Sequence, residues 1–434
     1  MILKGGQVVF EDAVRKCDIR VEAGRIAELG QLTGEDMIDV EGCVILPGAI
    51  DPHVHFNEPT NEAWEGFTSG SHMLRQGGIT HYFDMPLNGE PPTTTAKRFK
   101  QKLALAEQKS IIDVSLWGGL VPGNIEQLRP MHDLGAVGFK AFMSPSGLDG
   151  FEHVDDATLF LGMQEVASFG GIVALHAENA TITTLLAKQA KQQGYIDAKA
   201  YHASRPVIAE VEAVARALYF AKQTRCKLHF VHISTPEAVD IIEQAKRDGV
   251  DVTSETCPHY LLFNEHAYEQ AGVHAKCAPP LRAEALRQQL VKDVVDGRID
   301  FLASDHSPCP PDMKQMGAGG YFDAWGGING GQFTLLAALS LVDDGFLTLP
   351  QVAALTSTNV AERFSLQTKG RIAVGYEASF SVVKRQAWTV TKQQLAAKHQ
   401  ASLYEGCTFG WQVADAHALI HELTTKKGHT FSIH

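Results

Sequence analysis

Two histidines, His53 and His55, stand two residues apart at the end of the run Leu46-Pro47-Gly48-Ala49-Ile50-Asp51-Pro52-His53-Val54-His55. On an extended strand, side chains two apart share a face, so both imidazoles project together. An apolar strand ending in same-facing imidazoles suits a metal ion better than a core. Other metal-competent side chains close similar apolar runs. These are His176 in Ala174-Leu175-His176-Ala177-Glu178, His232 in Phe230-Val231-His232-Ile233-Ser234, and Asp305 in Phe301-Leu302-Ala303-Ser304-Asp305-His306. Lys140 lies within a fourth run, Gly138-Phe139-Lys140-Ala141-Phe142. His229 and His232 are three apart, so on a strand at most one of them points inward.

Four imidazoles and one carboxylate exceed the three protein ligands and one water of a catalytic zinc. Two ions roughly 3.5–4 Å apart could share these ligands and clamp a hydroxide between them. An unmodified lysine is a poor neighbour for two dications. Lys140 therefore either turns away to pair with an acid or reacts with carbon dioxide, becoming an anionic carbamate able to bridge both metals. Asp305 also has two readings. It is a ligand that takes the proton of a bridging water and carries it to a leaving nitrogen, or it caps a turn at Ser307-Pro308.

The elements that would position these residues alternate between apolar runs and helix-period segments. Candidate strands cover 44–51, 79–85, 112–117, 137–142, 172–176, 227–232, 251–255 and 300–303, with amphipathic stretches at 96–108, 157–168, 208–223, 236–247 and 283–295. Eight strands alternating with helices imply a parallel sheet, and eight is the number that closes a (β/α)8 TIM barrel. In such a barrel catalytic side chains come from the C-terminal ends of strands, where these ligands fall. The Gly-rich segment 316–331 reads as a loop over the site, followed by helical stretches at 332–341 and 349–364.

Before residue 44 the chain reads as short strands at 7–10, 18–22 and 25–29, with a hairpin turn at Ala23-Gly24. This unit is too short to bury a core alone. From about Gly370 strand texture returns, with a strand at 379–383. The expected organisation is a small β-sandwich domain built from both termini, 1–46 and 370–434, around a catalytic barrel spanning 47–369.

The chain has 434 residues, 44% of them hydrophobic, and 38 Lys+Arg against 50 Asp+Glu give a net charge of −12. That balance argues against broad nucleic-acid or anionic-membrane binding. Seven scattered cysteines without a C-x-x-C arrangement argue against a disulfide framework and for a reducing, cytoplasmic setting. The N-terminal residues lack the apolar core of a signal peptide, and no run approaches ~18 apolar residues.

Taken in order, these residues resemble the cyclic-amidohydrolase branch of the amidohydrolase superfamily, which includes dihydroorotases, dihydropyrimidinases (hydantoinases) and allantoinases. The resemblance covers essentially the whole chain. It rests on Pro47-Gly48 through His55, Gly77-Gly78-Ile79-Thr80, Asp84-Met85-Pro86, Gly138-Phe139-Lys140, His176-Ala177-Glu178, Glu255-Thr256-Cys257-Pro258-His259-Tyr260 and Ser304-Asp305-His306. It implies a binuclear centre held by His53, His55, carboxylated Lys140, His176, His232 and Asp305, with the metals polarising a cyclic amide carbonyl as the ring opens. Zinc is the first expectation for the two divalent ions, with manganese, cobalt or iron as alternatives. Relatives also imply a homotetramer.

Local chemistry separates the branches. Dihydroorotases typically carry an arginine two residues after the second histidine, where this chain has Asn57, a neutral side chain that cannot form a bidentate charged pair. Hydantoinases carry a tyrosine five residues after the bridging lysine, where this chain has Pro145. Several segments instead resemble the allantoinase branch: Asn57-Glu58-Pro59 with Trp64-Glu65-Gly66, Met85-Pro86-Leu87-Asn88, Ala203-Ser204-Arg205-Pro206, Lys276-Cys277-Ala278-Pro279-Pro280 and Asp305-His306-Ser307-Pro308-Cys309-Pro310-Pro311. Ala278 stands where serine is expected, and Gly375-Tyr376-Glu377-Ala378-Ser379-Phe380 departs from the usual Gly-x-x-Ala-Asp-x pattern. The resemblance implies hydrolysis of the neutral hydantoin ring of allantoin to allantoate, with Asn88, the backbone at Cys277 and Ala278, and Ser307 as substrate contacts. A hydantoinase or dihydropyrimidinase acting on another neutral cyclic ureide is the alternative.

Overall fold

The computed structural model describes residues 1–425; the last part of the expected C-terminal segment, 426–434, lies outside the described residues. Eight parallel barrel strands occur in sequence order among them. They are Ala49–Val54, Ile79–Asp84, a third in two pieces (Asp113–Leu116 and Gly118–Gly119), Phe139–Phe142, Ile172–His176, Lys227–Phe230, Val252–Thr256 and Phe301–Leu302. The third strand is divided at Trp117. Its first piece pairs with the second strand and its second piece with the fourth, so the sheet continues across the break. A parallel bridge from Val54 to His306 brings the first strand against the end of the eighth. Helices Ala96–Lys109, Asp156–Ser168, Val207–Thr224, Pro236–Arg247 and Glu284–Val295 fall where the periodicity placed them.

The apolar run expected as one strand over 44–51 is two strands. Cys43–Pro47 pairs antiparallel with Phe380–Thr389 in the small sheet, and Ala49–Val54 starts the barrel. Gly48 separates them because the chain there is pinched. A Cβ on Gly48 would lie 2.3 Å from both Ser379 Oγ and Thr80 Oγ1, so only glycine passes between the two sheets. Hydrophobicity alone cannot reveal such a break, since both halves are buried.

Two sheets make the small domain. One has four N-terminal strands. The other has five and mixes Gln7–Val9, Val14–Lys16 and Cys43–Pro47 with Phe380–Thr389 and Thr408–Val413 from the far end of the chain. Leu3, Val8, Ile19, Val21, Ile45, Phe380 and Val382 are buried together in one cluster drawn from both sheets. The shared strands explain why the N-terminal unit needs the C-terminal one. The stretch expected as helical over 349–364 is helical as far as Arg363, with a wide π turn at Ala354–Thr358 between two α segments. Its Ser357 Oγ donates to Gly48 O at 2.7 Å and its Asn359 Nδ2 to Asp300 O at 2.7 Å. The helix thereby closes the end of the barrel opposite the ligands.

Candidate active site

His53 lies on the first strand and His55 just beyond it. The Nε2 atoms of both imidazoles converge on one atom, Asp305 Oδ1, at 3.1 and 3.2 Å. Asp51 braces this arrangement from below. Its Oδ1 accepts from the backbone N–H of His53 at 3.2 Å and of Ser304 at 3.1 Å, tying the first strand to the end of the eighth. Burial pushes the Asp51 carboxyl up to about 6.

Behind His53 stands a buried relay. His53 Nδ1–H donates to Glu255 Oε1 at 2.6 Å, His229 Nε2–H donates to Glu255 Oε2 at 3.1 Å, and His229 Nδ1 lies 3.0 Å from the Thr253 hydroxyl. With its proton fixed on Nδ1, His53 presents the Nε2 lone pair to Asp305. His229 and His232 both occupy the barrel interior, at different heights, which overturns the expectation that at most one points inward. The sixth strand ends at Phe230 and His232 has φ +40°, so strand alternation no longer governs it. The His229 ring stacks on Phe301 at 5.0 Å deeper in the barrel.

The second half of the site follows the same plan. His176 Nδ1 and His232 Nε2 lie 3.0 Å apart, and His176 Nε2–H donates to Glu178 Oε2 at 2.8 Å. Arg205 forms an ion pair with that same Glu178 oxygen. Lys140 is completely buried, and its Nζ has no hydrogen-bond partner. Its reading as a lysine paired with an acid therefore fails.

Burial depresses Lys140 to about 8 and His55 to about 4, and it lowers His176 and His232 as well. Burial would lower His53 too, but the carboxylates of Asp305 and Glu255 outweigh it and hold that imidazole above its ordinary value. Burial would raise Asp305, yet the surrounding imidazoles, His53 foremost, hold its carboxylate well below the usual range. Asp305 caps no helix at Ser307-Pro308; the next helical turn is Pro311–Lys314.

These groups open into a cavity of about 370 Å³ lined by His53, His55, Lys140, His176, His232 and Asp305 at one end. Asn88, Cys277, Ala278 and Ser307, the expected substrate contacts, also line it. Asn57 does not. It is fully buried at φ +66° with both side-chain amide atoms unpartnered. Asn88, His232 and Asp305 share its left-handed backbone, at φ +69°, +40° and +46°. Strain of this kind persists where packing over-determines it. Sequence reasoning passed over Glu255, His229, Arg205 and Lys276 as functional parts. Glu255 sits inside a motif, but its partner His53 is 202 residues away and no local pattern joins them.

The donor set fits a metal centre. With its Nδ1 proton given to Glu255, His53 turns a bare Nε2 towards the Asp305 carboxylate, a contact that a cation between them would relieve. His55 Nδ1, His232 Nδ1 and Lys140 Nζ are buried without partners. Ligand atoms of His53, His55 and Asp305 all lie within 4.8 Å of one another. The carboxylates of Glu255 and Glu178 accept from the other ring nitrogens of His53 and His176, the support expected of metal-binding imidazoles.

A TIM barrel with metal-competent side chains at its strand ends is compatible with many hydrolytic enzymes. Comparison with known proteins narrows the class. The family model described as "Amidohydrolase family" matches residues 44–402, and the chain belongs to that family. It is 48% identical over 417 residues to an allantoinase of Bacillus velezensis, covering 95% of this chain and 91% of the relative. An allantoinase of Deinococcus radiodurans is 44% identical, with 95% and 92% covered. Among solved structures, an L-hydantoinase (dihydropyrimidinase) from Arthrobacter aurescens superposes with a TM-score of 0.91 at 34% identity, covering 95% of this chain and 93% of that one. A dihydropyrimidinase from Brevibacillus agri gives a TM-score of 0.88 at 26% identity, with 95% and 92% covered.

Proposed function

We propose that the protein opens the hydantoin ring of allantoin to give allantoate. The carrying observation is that, among the described residues, the cavity offers a charged ring no free cation: Arg205 is engaged by Glu178, Lys276 by backbone carbonyls, and Lys140, in our reading a carbamate, carries no positive charge. Neutral groups then remain for the ring: the Asn88 amide, the Ser307 hydroxyl and the backbone at Cys277 and Ala278. A neutral ring suits this surface and a carboxylated one does not. The allantoinases among the relatives, at 44–48% identity in the two named above, favour allantoin over other neutral rings.

His53, His55 and Asp305 would hold one divalent ion, His176 and His232 the other, and Lys140 as its N6-carbamate would bridge them. The ions, zinc or else manganese, cobalt or iron, supply Lewis-acid polarisation of the ring carbonyl and a water of lowered pKa. Asp305 commits Oδ1 to both imidazoles, and in our reading its carboxylate takes the proton of the attacking water. As the new C–O bond forms and the ring C–N bond breaks, Asp305 gives that proton to the leaving nitrogen. Asn88 and the Cys277–Ala278 backbone orient the ring, while burial of Lys140 and the four imidazoles keeps bulk water from the ligand end.

The domain division is read as 1–46 with 370–434, and 47–369. A homotetramer fits the exposed Leu161, Leu185, Ile208 and Tyr219 on the barrel's outer helices. A cytoplasmic setting fits seven free cysteines. Among the described residues no helix is long and apolar enough to cross a membrane.

Side-by-side assay of allantoin, hydantoin, dihydrouracil and dihydroorotate tests the substrate, with allantoin expected to give the highest kcat/KM. A preference for hydantoin or dihydrouracil would establish the second reading, a hydantoinase or dihydropyrimidinase, which the 34% identical L-hydantoinase structure favours. A preference for dihydroorotate would overturn both.

A further inference from the structure

One wall of the cavity is made by six consecutive residues, Phe322 to Gly327. Loops of this length on a barrel rim ordinarily satisfy their carbonyls with water. Here two lysines do it. Lys276 Nζ donates to Phe322 O at 2.9 Å and to Ala324 O, while Lys314 Nζ donates to Trp325 O at 3.0 Å, Gly327 O at 2.7 Å and Val273 O at 3.3 Å. Neither lysine has a carboxylate partner. An ammonium has three donors and no acceptor, which suits it to gathering converging carbonyls.

Lys276 also joins the wall to the ring-contacting residues. Its own carbonyl accepts from Gly327 N–H at 2.8 Å, and it immediately precedes Cys277, whose carbonyl accepts from Tyr201 OH at 3.0 Å. The Lys276 ammonium sits 4.7 Å from the centre of the Tyr201 ring. Gly327 is pressed against Ser307, where a Cβ would lie 2.3 Å from the Ser307 carbonyl oxygen. Wall and ring seat therefore form one unit, with Lys276 at the joint.

We propose that Lys276 and Lys314 are positioning residues that hold the 322–327 wall at a set distance from Cys277, Ala278 and Ser307, and so determine the length of ring substituent the cavity accepts. The carbonyl attacked is bonded to the substituted ring carbon, so the substituent leaves the ring beside the candidate metal ligands and must lie in the rest of the cavity, which the wall bounds. For allantoin that substituent is the ureido tail. The proposal rests on allantoin as substrate, and the test separates the two.

Steady-state kinetics of Lys276→Met and Lys314→Met are measured with allantoin, unsubstituted hydantoin and 5-benzylhydantoin, alongside metal content. The expected result for each variant is a KM for allantoin raised about tenfold with kcat within about threefold, the pattern of lost uniform binding. The KM for unsubstituted hydantoin should rise by a clearly smaller factor than that for allantoin, and 5-benzylhydantoin should become a better substrate relative to hydantoin. Lys276→Arg, which still donates to carbonyls, should restore the KM for allantoin. A loosened wall can gain a bulky substrate, whereas a merely damaged protein cannot. Parallel rises in KM for allantoin and hydantoin, or no change in either, would overturn the proposal. If Lys276→Met does not fold, the partly exposed Lys314 carries the test. If the wild type ignores allantoin, the substrate reading fails, and the hydantoin pair still decides the role of the wall.

Discussion

Two sides of the cavity are held by opposite chemistries. At the ligand end, imidazoles are backed by buried carboxylates, Glu255 behind His53 and Glu178 behind His176. At the 322–327 wall, lysines gather backbone carbonyls, with no carboxylate partner among the described residues. The first arrangement fixes which nitrogen of each ring faces the centre and raises ligand basicity. The second ties down a loop whose carbonyls would otherwise turn to water. Reactivity and selectivity are thus built from separate materials, and each can be disturbed without the other.

The largest effect should come from Asp305, the point where the ligand imidazoles and the proposed proton transfer meet. Asp305→Asn is expected to lower kcat by about 10²–10⁴, the usual contribution of a positioned acid–base group, while metal analysis still finds bound ions. Near-normal turnover would remove the assigned role. Removing the metals with a chelator should abolish activity at every substrate, and a divalent ion should restore it. Fewer than one metal per chain after careful purification would instead point to a non-catalytic homologue.

Smaller changes sharpen the contrast within the ligand end. Glu255→Gln and Glu178→Gln should each weaken metal affinity by about 10–100-fold, read by competition with a coloured chelator. The loss should be greater at Glu255, because Arg205 already offsets the charge of Glu178 and no such cation contacts Glu255. Neither variant should alter the preference between allantoin and hydantoin, since neither carboxylate lines the cavity. A changed preference would show that the two sides are coupled.

The smallest effect is on the pH dependence of stability. Burial lowers Lys276 to about 7 and Lys314 to about 8, whereas an unfolded lysine titrates near 10.4. Between these values the unfolded chain binds more protons, so these groups make stability rise with pH. Their destabilising contribution is fully present below about 7 and fades towards 10. The wild type should therefore gain in Tm relative to Lys276→Met across that window; a constant difference would mean that burial does not shift the lysine.

Much of this was legible in the sequence because it rests on local periodicity. Two-residue spacing predicted the convergence of His53 and His55, and apolar runs ending in His176 and Asp305 marked strand ends. Those runs place ligands at a common level only because parallel strands in a closed barrel end on one face. Where periodicity lapsed, the reading lapsed with it. His232 escapes strand alternation through its positive φ, and the 44–51 run divides at Gly48 because a neighbouring sheet leaves no room for a Cβ.

The chain by itself determined the candidate metal-binding side chains, their order along the strands and the family to which it belongs, since each depends on residue identity at short spacing. Tertiary structure decided what stands behind and opposite them. Glu255 reaches His53 across 202 residues, and Lys314 reaches the carbonyls of a loop it could equally have left to water. Such pairings depend on where distant backbone segments come to rest, and carbonyl groups carry no signature in a sequence because every residue has one.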